Sequence, residues 1–122
     1  MLARDAHDPG LTGLCLFGGG VRGSVIVDLV RWRLADRFVL EGFYDDNPAA
    51  GVELGFGRLG NLADGLRDVP GSGSAAFLAL GTHRSWRACE LLHDLQQRGA
   101  PVASVISPKA FVSPSAEIGA GA

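Results

Sequence analysis

The chain is poor in several things, and each shortage closes a route. Two cysteines in 122 residues, Cys15 and Cys89, are too few for a disulfide-stapled scaffold. Neither has a second cysteine or a histidine at ligand spacing, so no metal site is expected, and both read as buried, reduced thiols. Charge of one sign is not in excess: 11 Lys and Arg face 13 Asp and Glu, a formal net charge of -2, without runs of like charge. That excludes the basic footprint of a nucleic-acid surface. No apolar run approaches the ~20 residues that cross a bilayer. Residues 1–10 lack the apolar stretch of a secretory signal. A cytoplasmic protein without membrane insertion or nucleic-acid partner is the expectation.

What is plentiful is glycine, 18 in all, and apolar residues, 47% of the chain. That is enough for one domain with its own core. Residues 1–10 read as a flexible arm. Residues 11–17 form a short apolar run without clean alternation, as in a strand buried on both faces. Over 23–34, Val25, Ile26, Leu29, Val30 and Leu34 repeat at helical spacing. Residues 38–44 return to strand formers and close on the turn Asp45-Asp46-Asn47-Pro48. Glycines break up 51–73, where Asn61-Leu62-Ala63-Asp64 can cap a short helix ending near Arg67. A strand over 74–80 stops at Gly81. The next helix has Thr82 as its expected N-cap, an apolar stripe of Ala88, Leu91, Leu92 and Leu95, and a stop at Gly99 and Pro101. Residues 102–106 read as a last strand. The alternation predicts an α/β fold, a Rossmann-like parallel sheet with flanking helices, over 11–107.

Gly18-Gly19-Gly20-Val21-Arg22-Gly23 fits G-x-G-x-x-G, with Gly18, Gly20 and Gly23 in the three glycine places. The first lets the chain turn tightly, the second admits a phosphate to the backbone, and the third lets helix and strand pack closely. The motif follows the first strand, opens a helix, and is followed about 20 residues later by Asp45 at the end of the second strand. Arg22 is either a phosphate partner or a solvated side chain. Asp45 and Asp46 read as hydrogen-bond acceptors for a nucleoside or as capping groups of a β-turn, and both can hold together. Gly81-Thr82-His83-Arg84 is a second strand-to-helix turn at the same edge. Arg84 and Arg87 oppose the helix dipole there, which hints at an anion from outside. No catalytic role falls to His7, His83 or His93.

Residues 108–122 break the α/β pattern. Val112 and Ile118 lie six apart, and Ile118-Gly119-Ala120-Gly121 looks like a hexapeptide of a left-handed parallel β-helix. One repeat is not a stable domain, because such repeats bury their apolar face only by stacking.

From Leu14 onward the chain resembles the N-terminal domain of bacterial hexapeptide sugar acetyltransferases, of the sialic acid O-acetyltransferase and bacillosamine or perosamine N-acetyltransferase type. The likeness rests on four landmarks in order: the turn 18–23, Gly42-Phe43-Tyr44-Asp45-Asp46-Asn47, Ala79-Leu80-Gly81 with an arginine soon after, and Ser107-Pro108-Lys109-Ala110 leading to the hexapeptide. It implies a domain that holds a UDP- or GDP-linked sugar, with a trimeric β-helix binding acetyl-CoA as co-substrate and carrying a catalytic histidine. The implied substrate contacts are Gly18, Gly19, Gly20, Arg22 and Gly23 around phosphate, Asp45 and Asp46 for the nucleoside, and Gly81, Thr82 and Arg84 lining the same pocket. Departures stand at Arg22 and Ser107, where the family commonly has histidine. On this view the chain alone does not transfer acetyl groups, is a monomer or weak dimer, and has a mobile tail after about Pro114. The homotrimer awaits the β-helix. The rival readings are an NAD-type dinucleotide-binding module and a non-catalytic regulatory domain with a degenerate pocket.

Overall fold

A computed structural model describes residues 10–51, 57–80 and 85–122, the side chain of Ser85 excepted. The order of elements is β1 (Thr12–Phe17), α1 (Val21–Arg33), β2 (Phe38–Tyr44), β3 (Arg58–Gly60), α2 (Leu62–Asp68), β4 (Ala75–Leu78) and α3 (Ser85–Gln97). The four strands form one sheet in the order β3-β2-β1-β4, every pair parallel. The α/β class and the Rossmann-like arrangement expected from the sequence are therefore present.

β1 lies at the centre, and its side chains divide between two cores. Leu14 and Leu16 pack with Val27, Val30 and Leu34 on the α1 side. Cys15 and Phe17 pack with Leu62, Leu66, Leu91 and Leu95 on the α2/α3 side. Burial on both faces removes the polar positions that alternation would need, which is why the run reads as uniformly apolar. Gly65 lets α2 come close here: a Cβ on it would stand 2.7 Å from the Phe17 ring.

α1 differs from the expected face. Gly23, Val27 and Val30 are buried, whereas Val25 is 60% exposed. Apolar residues surround this helix almost evenly, so helical spacing alone does not single out the inward side. The short helix is capped as the sequence implies: Asn61 Oδ1 accepts from the Asp64 N–H at 2.8 Å, and Asp64 Oδ2 accepts from the Asn61 N–H at 3.0 Å. α3 ends as expected at Gly99, φ +76°. The Ala100 N–H donates to Leu95 O and the Gly99 N–H to Gln96 O, the paired bonds of a Schellman stop.

Two further expectations need correction. Cys89 is exposed; only Cys15 is buried. The last strand shrinks to a single parallel bridge, Ala76 to Val102, framed by the Ala76 N–H on Pro101 O and the Ala103 N–H on Ala76 O. The short strand β3 inside the glycine-rich stretch was not foreseen.

The C-terminal segment, expected as the start of a hexapeptide repeat over 108–122 with a mobile tail after about Pro114, has a regular path. Turns recur every six residues, with the Ala110 N–H on Ser107 O and the Ala116 N–H on Ser113 O. The chain then returns to its own start: the Val105 N–H donates to Ala122 O, and Ser104 Oγ donates to Gly119 O and accepts from the Ala122 N–H. Ile106, Val112 and Ile118 each precede a corner and are 36%, 42% and 47% exposed. This is one coil with a hexapeptide period that begins before residue 108. The signals in the sequence are Ile106 and the Ser-Pro pairs at 107 and 113, each in step with the repeat.

Candidate functional site

β1, β2 and β4 run in parallel, so their carboxyl ends share one edge of the sheet. The chain leaves β1 through Gly18, whose φ of +113° is a conformation that side chains rarely adopt. A Cβ there would also stand 2.6 Å from Ala79 O. The Gly18 N–H donates to Tyr44 O at 2.8 Å, and the Ala79 N–H donates to Phe17 O at 2.8 Å. The turn is thereby tied to the strand on either side.

At Gly19 a Cβ would run into the Phe43 ring at 2.5 Å. At Gly20, the N-cap of α1, nothing lies within 4 Å of where a Cβ would be. Gly20 and Arg22 are exposed, and Gly23 is buried in the first turn. No side chain caps α1 and its first turn holds no acid. The first N–H groups of a helix have no intrahelical partner and carry partial positive charge. Beside Gly20 the protein thus presents backbone donors, a favourable dipole and no Cβ, the requirements for an oxyanion or phosphate.

Asp45 meets this turn from β2. Its Oδ2 accepts from the Gly19 N–H at 2.8 Å and its Oδ1 from the Asn47 N–H at 2.9 Å, at 9% exposure. Its carboxylate works as a clasp between the glycine-rich turn and the end of β2, closing the acidic turn as it does so. Asp46 is exposed, and its Oδ1 accepts from the Leu62 N–H at the start of α2 at 2.9 Å. Its Oδ2 has no partner among the described residues. The turn-capping reading holds for Asp45 and for Asn47, whose Oδ1 accepts from the Ala49 N–H at 3.0 Å, while Asp46 caps the start of α2 instead and is left open on one side.

Sequence reasoning passed over Arg58, the first residue of β3. Its Nε and Nη2 donate to the main-chain carbonyl of Asp45 at 3.0 and 2.8 Å, while the Asp45 N–H donates to Gly60 O at 2.9 Å. An arginine three residues before a helix cap is a weak signal, and only the parallel pairing of β3 with β2 brings it here.

Gly18, Gly19, Gly20, Gly23 and Asp45 are thus assembled at one edge, with Arg22 and Asp46 on its rim. Gly81, Thr82 and Arg84, with His83, lie outside the described residues. His93 is exposed on α3, away from the strand ends. Among the described residues no group of His, Cys, Asp and Glu has the arrangement of a metal site. No helix among them is long and apolar enough to cross a membrane.

No family model matches the chain, and no curated protein does. Solved structures do. The acetyltransferase domain of PglB from Neisseria gonorrhoeae, in complex with acetyl coenzyme A, is 28% identical with a TM-score of 0.73, over 92% of this chain and 52% of that one. A histidine-to-asparagine variant of perosamine N-acetyltransferase from Caulobacter crescentus, in complex with CoA and GDP-perosamine, is 26% identical with a TM-score of 0.71, over 89% of this chain and 49% of that one. The chain spans about half the length of each.

Proposed function

Because the chain has the fold and sequence pattern of the N-terminal domain of the sugar acetyltransferase family, we propose that it holds the nucleotide-sugar substrate of a sugar O- or N-acetyltransferase. The observation that carries this reading is the 2.8 Å contact of the Gly19 N–H with Asp45 Oδ2. It draws the uncapped start of α1 and the acidic turn together at one edge of the sheet. In this reading the diphosphate lies beside Gly20 on the uncapped N–H groups that run to Gly23, with Gly18 and Gly19 shaping the turn and Arg22 at its rim. Asp46 faces the nucleoside, and Asp45 fixes the turn. Gly81, Thr82 and Arg84 complete the pocket from the end of β4.

Acetyl-CoA is the acetyl donor on this reading, as co-substrate of the whole enzyme. Acetyl transfer to a sugar amine or hydroxyl needs a base within ~2.6–3.2 Å of the attacking group and a thioester held beside it. The described residues place neither next to the glycine-rich turn. A groove for acetyl-CoA and a trimer would come from stacked β-helix coils, of which the described residues form one. A dinucleotide of the NAD type is the weaker reading, since the solved structures that share this fold at 26–28% identity are sugar acetyltransferases.

Calorimetry with a UDP-sugar, a GDP-sugar and NAD tests the reading, and tighter binding of NAD than of either sugar nucleotide would overturn it. Gly20→Val sharpens the test. The free protein has room for a Cβ there, so a variant that melts as the parent does should bind sugar nucleotide about tenfold more weakly or worse, a difference of about 1.4 kcal/mol.

A further inference from the structure

Arg58 is an exposed guanidinium that the phosphate cradle leaves unused. Two of its N–H groups, on Nε and Nη2, close on one oxygen, the carbonyl of Asp45, at 3.0 and 2.8 Å. A guanidinium is planar with its donors in a rigid fork, so this grip sets the direction of the others. The remaining edge, Nη1 and the outer N–H of Nη2, faces away from Asp45 and has no partner among the described residues. The residue after the gripped carbonyl is Asp46. Its carboxylate is held through Oδ1 by the Leu62 N–H, and Oδ2 is unpartnered among the described residues. A two-donor edge and an anchored acceptor therefore flank one peptide unit at the carboxyl end of β2. This is the strand end that Asp45 ties to the glycine-rich turn before α1, where the phosphates lie in the nucleotide-sugar reading.

We propose that Arg58 and Asp46 read the nucleobase and select guanine. Guanine alone among the common bases sets two adjacent acceptors, O6 and N7, beside two adjacent donors, N1–H and the N2 amino group. The free edge of Arg58 donates to the acceptor pair in the bidentate manner that arginine makes with guanine. The Asp46 carboxylate accepts from the donor pair. Uracil offers the same groups one carbonyl and one N3–H, half as many bonds. Adenine carries an amino group where guanine has O6, and sets it against the guanidinium. This inference rests on the nucleotide-sugar reading and adds the base.

Calorimetry of this chain with GDP, UDP and ADP as probes tests it, alongside Arg58→Lys and Asp46→Asn. Lysine keeps a charge and a donor for the Asp45 carbonyl but has no second pair. Asparagine still accepts from the Leu62 N–H but opposes the guanine donors with its own amide. Thermal melting without nucleotide identifies any variant that has lost the fold. The expected result is GDP tighter than UDP by about tenfold or more, with ADP the weakest. Either substitution should bring the GDP to UDP ratio towards one through loss of GDP binding, with UDP little changed. UDP bound as tightly as GDP, or a ratio that survives Arg58→Lys, overturns the base assignment and leaves the nucleotide-sugar reading standing. No binding of any of the three overturns both.

Discussion

The Rossmann-like unit and the C-terminal coil use the same kinds of apolar residue in opposite ways. In the sheet, Leu14, Leu16 and Phe17 are 0% exposed, covered by helices above and below. In the coil, Phe111 is 90% exposed and Ile106, Val112 and Ile118 stand between 36% and 47%. A parallel sheet closes its faces with the helices that connect its own strands. A hexapeptide coil has neighbours only above and below, so its apolar side chains need another coil to cover them. The first region therefore carries its stability within itself, whereas the second carries the geometry of a stack without its energy.

The largest expected effects separate the two. Phe17 sits between α2 and the sheet, with its ring centroid 5.4 Å from that of Tyr44. Phe17→Ala should destabilise the protein by about 3–5 kcal/mol in urea unfolding, since the packed surroundings relax only in part. Ile118→Ala should change the same midpoint by about 0.5 kcal/mol or less, as at other exposed positions. Equal losses from the two substitutions would mean that the coil is part of the same cooperative core.

The clasp comes next. Asp45→Ala leaves the buried Gly19 N–H without its acceptor and frees the acidic turn, a loss of about 1–3 kcal/mol. It should also weaken sugar-nucleotide binding, because the turn that presents the backbone donors is no longer held. Asp46→Ala removes one cap at the exposed start of α2 and should destabilise the free protein less. Unchanged stability in Asp45→Ala would show that Gly18, through Tyr44 O, is enough to hold the turn.

Legibility in the sequence follows the same division. Strands β1, β2 and β4, the glycine-rich turn and the Asn61 cap are readable because each depends on residues close in the chain. Arg58 and the bridge at Val102 were not, since both are products of pairing between distant strands. The inward face of α1 was misread because Val25 and Val27 are alike in chemistry and differ only in what lies beside them. Of the two roles the sequence offers Asp45, nucleoside acceptor and capping group of the turn, the capping one reaches further than local sequence indicates. The Gly19 N–H, 26 positions away, meets the same carboxylate. In the coil, the six-residue period was visible at Val112 and Ile118. The return to Ser104 was not, because it is a contact across the whole coil.

The two cysteines give a comparison within the sheet unit itself. Burial, with the Glu41 carboxylate beside it, pushes the Cys15 thiol up to about 12 from 9.0. An irregularity between Leu14 and Cys15 in the β1–β2 register shifts Glu41 out of step, and it also accepts from Ser74 Oγ at 2.7 Å. Cys89 is exposed on α3. Iodoacetamide on the folded protein near neutral pH should modify Cys89 and spare Cys15 until denaturant is added. The unfolded thiol ionises around 9.0 and the folded one around 12. The contribution of Cys15 to stability is therefore whole below pH 9.0 and is lost as the pH climbs towards 12. Tyr44, raised by its own burial, acts in the same direction. Urea midpoints at neutral and alkaline pH check this: Cys15→Ala should flatten the alkaline fall, and an unchanged slope would place its cause elsewhere.

The smallest effect tests what holds the coil closed. Ser104 Oγ donates to Gly119 O at 2.9 Å and accepts from the Ala122 N–H at 3.2 Å, both at an exposed site. Exposed bonds exchange readily with water, so Ser104→Ala should cost no more than about 0.5 kcal/mol, the low end for a hydrogen bond, and it should do so locally. Val105 is different in kind: its side chain enters the α1-side core while its N–H donates to Ala122 O. The coil is thus anchored by a buried side chain and latched by an exposed hydroxyl. Amide hydrogen exchange separates these roles. In Ser104→Ala, exchange at Ala122 and Val105 should speed up while the amides of β1 and β4 keep their protection and the urea midpoint hardly moves. If β4 loosens as well, closure of the coil and stability of the sheet are one equilibrium, and the contrast between the two regions fails.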